Sequence, residues 1–417
     1  MRYICDFHIH SKYARACSKE LTLENIDQWA RLKGINIIGT GDFSHPAWFK
    51  EIESKLEEKY SGLYQLKGSP TGTLFMLTNE ISCIYSQGNK VRRLHVCLLA
   101  PNLDFVSQLN EQLTKRGCKL GSDGRPIIGM SAKELLKICL SINEEHLSVP
   151  AHAWTPWFAI FGSKSGFDSI EECYEELSQN IYGIETGLSS DPLMNWRLSG
   201  LDKIVLMSNS DAHSLQNLGR EANVLELSQP SFKEIYEAVK NQDKKKFLST
   251  IEFFPEEGMY HYDGHRDCNI SWTPQETKTN QGVCPVCKKQ VTVGVLNRVD
   301  NLADRDEIKV DKSKFIPYKS IVPLQDILAD AFDVGKGSKK VQAEYANLIK
   351  HGENEFKILL DLSVEELNKI TLPKIAEGIV RVRNGNLKLI PGFDGRYGKV
   401  EIFSESEKQK KQQNSLF

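Results

Sequence analysis

The sequence contains no apolar run approaching the ~18 residues of a membrane span. Its opening, Met1-Arg-Tyr-Ile-Cys-Asp-Phe7, leads straight into a strand pattern without the apolar centre of a secretory leader. These absences predict a cytoplasmic protein with no membrane partner. Neither sign of charge is in surplus: a net charge of −2 over 417 residues gives no global sign of nucleic-acid binding, so any such surface has to be a local patch. The ten cysteines are scattered, apart from Cys268, Cys284 and Cys287, which excludes a disulfide framework and suits a reducing compartment with one structural metal site. There is no internal repeat. What is present, 40% hydrophobic and 26% charged residues, describes a globular chain long enough for two or three domains.

Residues 1–250 alternate strand and helix signals. Short apolar strands are expected over 3–7, 35–40, 74–77, 94–99, 147–151, 181–186 and 204–208, with a polar loop over 86–93. Helices are expected over 22–33, with Thr22 as N-cap and Gly34 as the stop, and over 48–60, 105–115, 132–143 and 231–240. Such alternation predicts a parallel α/β architecture, a distorted β/α barrel of about seven strands with its site at the strand ends. Residues 251–315 lose apolar periodicity and carry the cysteine cluster. Helical periodicity returns over 316–403, at 324–332, 339–350, 354–360, 364–370 and 373–383. Residues 404–417 are charged, Gln-rich and expected to be disordered.

Six of the ten histidines fall in five short segments of the barrel region: Asp6-Phe-His8-Ile-His10, Gly41-Asp42-Phe-Ser-His45, Arg93-Leu-His95, Pro150-Ala-His152 and Ser210-Asp211-Ala-His213. Glu80 supplies a further carboxylate. Side chains alternate along a strand, so His8 and His10 share a side and one metal can accept both. Imidazoles and carboxylates brought together from successive strand ends suit Zn²⁺, Mn²⁺ or Fe²⁺, and a bridging carboxylate can hold two ions about 3.5–4 Å apart. In this order the segments resemble the polymerase and histidinol phosphatase (PHP) superfamily of metal-dependent phosphoesterases. The resemblance implies a distorted (β/α)7 barrel with two or three metals. His8, His10, Glu80 and Asp211 would form one site, and Glu80, His95 and His152 a second bridged by Glu80. Asp42 or His45, with His213, would contribute to a third. His8, His10, Glu80 and Asp211 would carry the catalysis. Cys17 stands where many members of the superfamily have a histidine.

Cys284-Pro-Val-Cys287 reads as a zinc knuckle. With His265-Arg-Asp-Cys268 upstream it makes two ligand pairs for a structural Zn²⁺, with His261 as the alternative fourth ligand. The barrel joined to this knuckle, together with Tyr260-His-Tyr-Asp-Gly-His265-Arg, Gly294-Val-Leu, Arg298-Val, Leu302-Ala-Asp-Arg305 and Pro391-Gly-Phe-Asp-Gly-Arg-Tyr-Gly398, resembles the endonuclease Q family. That resemblance implies a repair nuclease acting on double- or single-stranded DNA that carries uracil, hypoxanthine, xanthine or an abasic site. It would cut 5′ to the lesion with Mg²⁺ or Mn²⁺ supporting activity.

A damaged base has to leave the stack to be read. Asn209 is a candidate reader, or else a structural amide. The loop from Trp154 through Trp157 and Phe158 is a candidate for stacking on the lesion, or else core packing. Lys288, Lys289 and Arg298 are candidate DNA contacts. At the very end, Gln413-Asn-Ser-Leu416-Phe417 resembles the bacterial sliding-clamp-binding peptide, with Gln413, Leu416 and Phe417 as its anchors, and so points to a bacterial source. Two competing readings remain at this point, a small-molecule phosphomonoesterase and a non-catalytic DNA-binding scaffold.

Overall fold

The structure is a computed structural model and describes residues 1–408. Its centre is a ring of strands. The Arg2–Asp6 strand lies parallel to Ile37–Gly39, which lies parallel to Leu74–Gln87. Leu74–Gln87 pairs antiparallel with Lys90–Ala100, and that strand pairs antiparallel with Leu147–Pro150. Gly183–Glu185 and Val205–Met207 form a parallel pair. It joins the preceding strand through the bond from Ala153 N to Glu185 O at 2.9 Å. It joins the first strand through His10 N to Ala212 O at 3.2 Å and through the Asn209 side chain, whose Oδ1 accepts from Phe7 N at 2.9 Å. The ring of seven strands is therefore partly stitched by side chains. It is mixed rather than parallel, because two neighbours are joined by a direct hairpin instead of a helical crossover.

That hairpin replaces the polar loop expected over 86–93. Gly88 and Asn89 both take φ of 59°, the left-handed pair a tight two-residue turn demands, and the strands run up to it on either side. The expected 48–60 helix stops at Lys55; Leu56–Tyr60 turns back as a strand against Leu63–Leu66. Other helices form where periodicity placed them. In Leu23–Lys33, Thr22 accepts from Asn25 N, and Gly34, at φ 87°, closes the last turn on Ala30 O and Arg31 O.

Outside the ring, Ala222–Glu226 pairs antiparallel with Arg2–Asp6. Phe247–Glu252 follows, and then Tyr318–Ser320. This extension carries the chain out of the barrel and back after the cysteine segment. That segment folds as a small hairpin, Asp263–His265 with Ile270–Trp272, and the helices Pro274–Thr279 and Val295–Leu302. Helices Leu324–Phe332, Lys339–Gly352, Val364–Ile370 and Pro373–Arg383 follow, with a π-type turn at Lys357–Asp361. They are fastened to the barrel by a buried ion pair, Lys33 Nζ to Glu355 Oε2 at 2.8 Å. Glu355 also accepts from Tyr345 Oη and Leu324 N. The start of the segment expected to be disordered is built into the fold: Lys408 Nζ reaches Asp330 Oδ1 at 2.6 Å, and Ser404 N donates to Glu407.

Candidate active site

His8 and His10, just past the Arg2–Asp6 strand, Glu80, within Leu74–Gln87, and Asp211, beyond Val205–Met207, converge with one ligand atom of each inside a 4.8 Å group. His10 Nε2 lies 3.1 Å from Asp211 Oδ1 and 3.4 Å from Glu80 Oε2, and His8 Nε2 lies 3.7 Å from each of the same two oxygens. Ligands about 2.1 Å from one tetrahedral ion stand about 3.4 Å apart, so these spacings match edges around a shared metal. His8 Nε2 is buried with no hydrogen-bond partner, which is the signature of a lone pair aimed at an ion. A second group shares Glu80: its Oε1 lies 2.6 Å from His95 Nδ1 and 3.1 Å from His152 Nε2. Glu80 thus faces both groups, as a bridging carboxylate must. Burial opposes its charge, but His95, Arg125 and His8 outweigh that and hold its carboxyl well below the ordinary range. Burial pushes the His95 imidazole down to about 4.

A layer of support lies behind these ligands. Glu185 accepts from His8 Nδ1 at 3.0 Å, from His152 N at 3.0 Å and from Asn209 Nδ2 at 2.8 Å. Since Glu185 offers only acceptors, His8 carries its ring proton on Nδ1 and turns a bare Nε2 to the cluster. Cys97 is buried against the same pair. His10 is oriented alike: its Nδ1 meets Asp42 Oδ1 at 3.0 Å, while Asp42 Oδ2 accepts from the Ser11 amide and hydroxyl, both at 2.6 Å. Asp42, His152 and Asp211 hold φ of 49°, 30° and 46°, left-handed values that non-glycine residues adopt at a cost, here gathered at one site.

The residues expected to hold a structural metal come together. His265, Cys268, Cys284 and Cys287 bring one ligand atom each within 4.8 Å of the others, with His265 Nε2 3.7 Å from Cys287 Sγ. His261 stays outside this group, buried in its own pocket.

The MJ0043 C-terminal domain family matches residues 323–386. An uncharacterized protein of Methanocaldococcus jannaschii, MJ0043, is 33% identical over 261 residues, 60% of this chain and 31% of that protein, so the chain matches less than a third of that relative's length. The uncharacterized protein YqxK of Bacillus subtilis is 29% identical over 95% of this chain and 98% of its own. The crystal structure of the lesion-specific endonuclease PfuEndoQ from Pyrococcus furiosus superposes with a TM-score of 0.86 at 30% identity, covering 100% of this chain and 99% of that one. A structure of endonuclease Q with a 27-mer duplex substrate carrying an abasic lesion at the active site superposes with a TM-score of 0.85 at 31% identity, over 98% of both chains. The chain belongs to the endonuclease Q family.

In this member of the family, a cavity of about 1040 Å³ opens onto the metal groups. His95, His152 and Asp211 form one end; Trp157 and Phe158 line one wall, and Lys336 and Tyr397 stand on the C-terminal side. Several sequence expectations change here. Asp42, His45 and His213 do not assemble a third metal group among the described residues. Both carboxylate oxygens of Asp42 are spent orienting His10 and Ser11. His45 stacks on Tyr13 at 4.3 Å between ring centres, and His213 Nδ1 turns to its neighbour's carbonyl, Asp211 O, at 2.9 Å. Cys17 likewise stays outside these groups, its thiol pushed up to about 11 by burial. Asn209 lines the cavity and also braces the site: its Oδ1 accepts from Phe7 N and Asn223 Nδ2, and its Nδ2 donates to Glu185. Trp154 is 1% exposed and donates to Asn195 Oδ1 at 2.7 Å, which leaves Trp157 and Phe158 as the accessible aromatics of that loop. Arg298 is a strut, binding Phe161 O, Phe167 O and Asp168. Lys288 and Lys289 remain exposed on the knuckle turn. Gln413, Leu416 and Phe417 lie outside the described residues.

Sequence reasoning missed Glu185 and Arg125. Glu185 closes the Gly183–Glu185 strand without a neighbouring histidine to mark it. Arg125 Nη1 reaches Glu80 Oε2 at 3.0 Å from a loop with no chemical signature.

Proposed function

We propose that this member of the endonuclease Q family, a metal-dependent DNA endonuclease, recognises deaminated bases (uracil, hypoxanthine, xanthine) and abasic sites and hydrolyses the phosphodiester 5′ to the lesion. The observation that carries this reading is the position of the Glu80-bridged ligand groups at one end of a cavity. At about 1040 Å³ it has room for one extrahelical nucleotide, since small-ligand cavities run roughly 300–1,000 Å³. The relative solved with an abasic duplex supports DNA as the substrate. Residues 1–250 would form the nuclease domain, 251–315 the zinc-binding domain and 316–403 the helical DNA-binding domain.

The ligand groups fit metal ions, through the unpartnered His8 Nε2 and the carboxylate spacings. Held there, metals supply Lewis-acid activation of water and neutralise charge at the scissile phosphate, with Mg²⁺, Mn²⁺ or Zn²⁺ as candidates. The protein's own part is orientation and exclusion. Glu185 and Asp42 keep the protons of His8 and His10 on Nδ1. Arg125, 26% exposed beside Glu80, offers positive charge to an entering phosphate. Trp157 and Phe158 present an apolar wall that sheds water and stacks on a displaced base. Zn²⁺ in the His265, Cys268, Cys284 and Cys287 site is structural, because four protein ligands leave no open position. Lys288 and Lys289 would contact phosphates, and the tail beyond residue 408 would bind the sliding clamp.

Duplex DNA with a single deoxyuridine or abasic site, incubated with Mg²⁺ or Mn²⁺, is expected to be nicked 5′ to the lesion, and Asp211→Asn to abolish the cut. Phosphate release from small monoesters without nicking would instead favour a phosphomonoesterase, and tight lesion binding without turnover a scaffold.

A further inference from the structure

Removing a nucleotide from a duplex leaves a gap, and the bases on either side lose a stacking partner. We propose that Tyr397 fills this gap as a wedge, so that it sets the enzyme's ability to act on duplex rather than single-stranded DNA. The inference rests on the endonuclease reading above.

Tyr397 is 76% exposed and has no hydrogen bond or ring contact among the described residues. Single exposed apolar residues are common and by themselves mean little. What sets Tyr397 apart is its mounting. It sits in the Pro391–Gly398 segment, between the short paired strands Lys388–Ile390 and Lys399–Glu401, and that segment is tied down along its whole length. Gly392 N donates to Glu256 O at 2.8 Å, Gly395 N to Met259 O at 3.0 Å and Gly398 N to Glu257 O at 3.1 Å. Asp394 accepts from Arg266 N at 2.8 Å and from Thr292 Oγ1 at 2.6 Å, which binds the segment to the zinc-bearing region. A Cβ at Gly392 or Gly398 would collide with the backbone carbonyls of Gly258 and Glu256, so the loop is packed to its limit on the inner side. The outer side offers a bare aromatic ring.

The ring also stands at the right place. Tyr397 and Lys399 border the same cavity that ends at His95, His152 and Asp211. A nucleotide drawn into the cavity toward the metal groups would leave its gap outside it, within reach of a ring that both lines the cavity and is exposed to solvent. A tyrosine there loses little freedom on insertion, because its backbone is already fixed and only two side-chain torsions remain. Aromatic stacking on bases is sequence-tolerant, which suits a site that has to accept any neighbouring base.

The test compares nicking rates on one oligonucleotide carrying a central abasic site, as a single strand and as a duplex. Tyr397→Ala is expected to slow duplex nicking by about 5- to 100-fold, the range that loss of one stacked base gives, and to leave the single strand unaffected. Tyr397→Phe and Tyr397→Trp are expected to keep the duplex rate. A 2-aminopurine placed beside the lesion reports the insertion separately: wild type should quench it on binding in chelator, and Tyr397→Ala should leave it bright. An unchanged duplex-to-single-strand ratio in Tyr397→Ala, or an equal fall on both substrates, overturns the wedge while leaving the endonuclease intact. Absence of nicking by the wild type on either substrate overturns the endonuclease reading and the wedge with it.

Discussion

Replacing Glu185 by glutamine tests whether the layer behind the ligands governs metal binding. The carboxylate receives three donors: the His8 ring at 3.0 Å, the His152 amide at 3.0 Å and the Asn209 amide at 2.8 Å. A glutamine is nearly the same shape but turns one oxygen into an NH₂ group. If that NH₂ faces His152 N, two donors collide. If it is flipped, it faces Asn209 Nδ2 and the His8 ring instead. Either way at least one buried donor goes unsatisfied, at about 1–3 kcal/mol. His8 also loses the negative charge that strengthens Nε2 as a ligand. Such outer partners typically carry 10- to 100-fold in metal affinity or activity, equivalent to about 1.4–2.7 kcal/mol. Glu185→Gln is therefore expected to raise the half-saturating Mn²⁺ concentration for nicking by about 10- to 100-fold, with activity restored toward wild type at high metal. The Glu80–His95–His152 group should feel the change less, through His152 alone. Isothermal titration of the metal-stripped protein gives the same comparison without turnover. An unchanged Mn²⁺ dependence, with the His8–Glu185 contact intact, would refute the argument that this contact tunes the ligand.

Four further outcomes are expected. Asp42→Asn should impair nicking through His10 with little loss of fold, and the apparent metal affinity should fall with it; a variant with wild-type metal dependence would return Asp42 to a purely structural role. Cys284→Ser should release one equivalent of Zn²⁺, measured with a colorimetric chelator, and make residues 251–315 protease-sensitive, because a region this poor in apolar residues depends on its metal. Lys33→Met strands Glu355 in a site where the two are 3% and 5% exposed, and breaking a buried pair costs about 3–5 kcal/mol, seen as a lower urea midpoint; the double variant Lys33→Met/Glu355→Gln, which removes the stranded charge but keeps an acceptor for Leu324 N and Tyr345 Oη, should recover part of it. Glu252 is pushed up to about 8 by burial, and folded protein therefore holds a proton that the unfolded chain has already lost above its ordinary value near 4.5. Stability from this group falls as pH rises through that window, and Glu252→Gln should flatten the decline in a pH series of denaturation midpoints.

The candidate ligands were legible in the sequence because six histidines in five short segments is a pattern no core requires. The helices were legible for a different reason: Thr22, Gly34 and Ser231 mark ends by local hydrogen bonding that needs no tertiary partner. Where local preference and long-range pairing disagreed, the reading failed. Leu56-Glu-Glu-Lys-Tyr60 is made of good helix formers, yet Gly62, at φ 74°, turns the chain and lets it pair as a strand. The 86–93 stretch is polar because its hairpin is largely exposed, and polarity was taken for a loop.

The harder distinction is between a residue that holds a metal and one that holds the holder. Asp42, Glu80, Glu185, Asn209 and Asp211 all lie on or just past strands of the ring, and no property of residue type separates them. What separates them is which donors lie within reach. Asp42 is met by the Ser11 amide and hydroxyl and by His10 Nδ1, and both its oxygens are consumed. Glu185 is likewise met by the His152 amide, the Asn209 amide and the His8 ring. Glu80 and Asp211 instead face imidazole Nε2 atoms across 3.1–3.7 Å, and their neighbour His8 Nε2 has no partner at all. A group whose hydrogen-bonding capacity is filled by the protein is support, and a group whose capacity converges with others on a shared space is a ligand. That rule moves Asp42 out of the role the sequence suggested and brings Glu185 in, and it makes His8, through which support and ligand layers meet, the residue where a fault in either layer should be felt first.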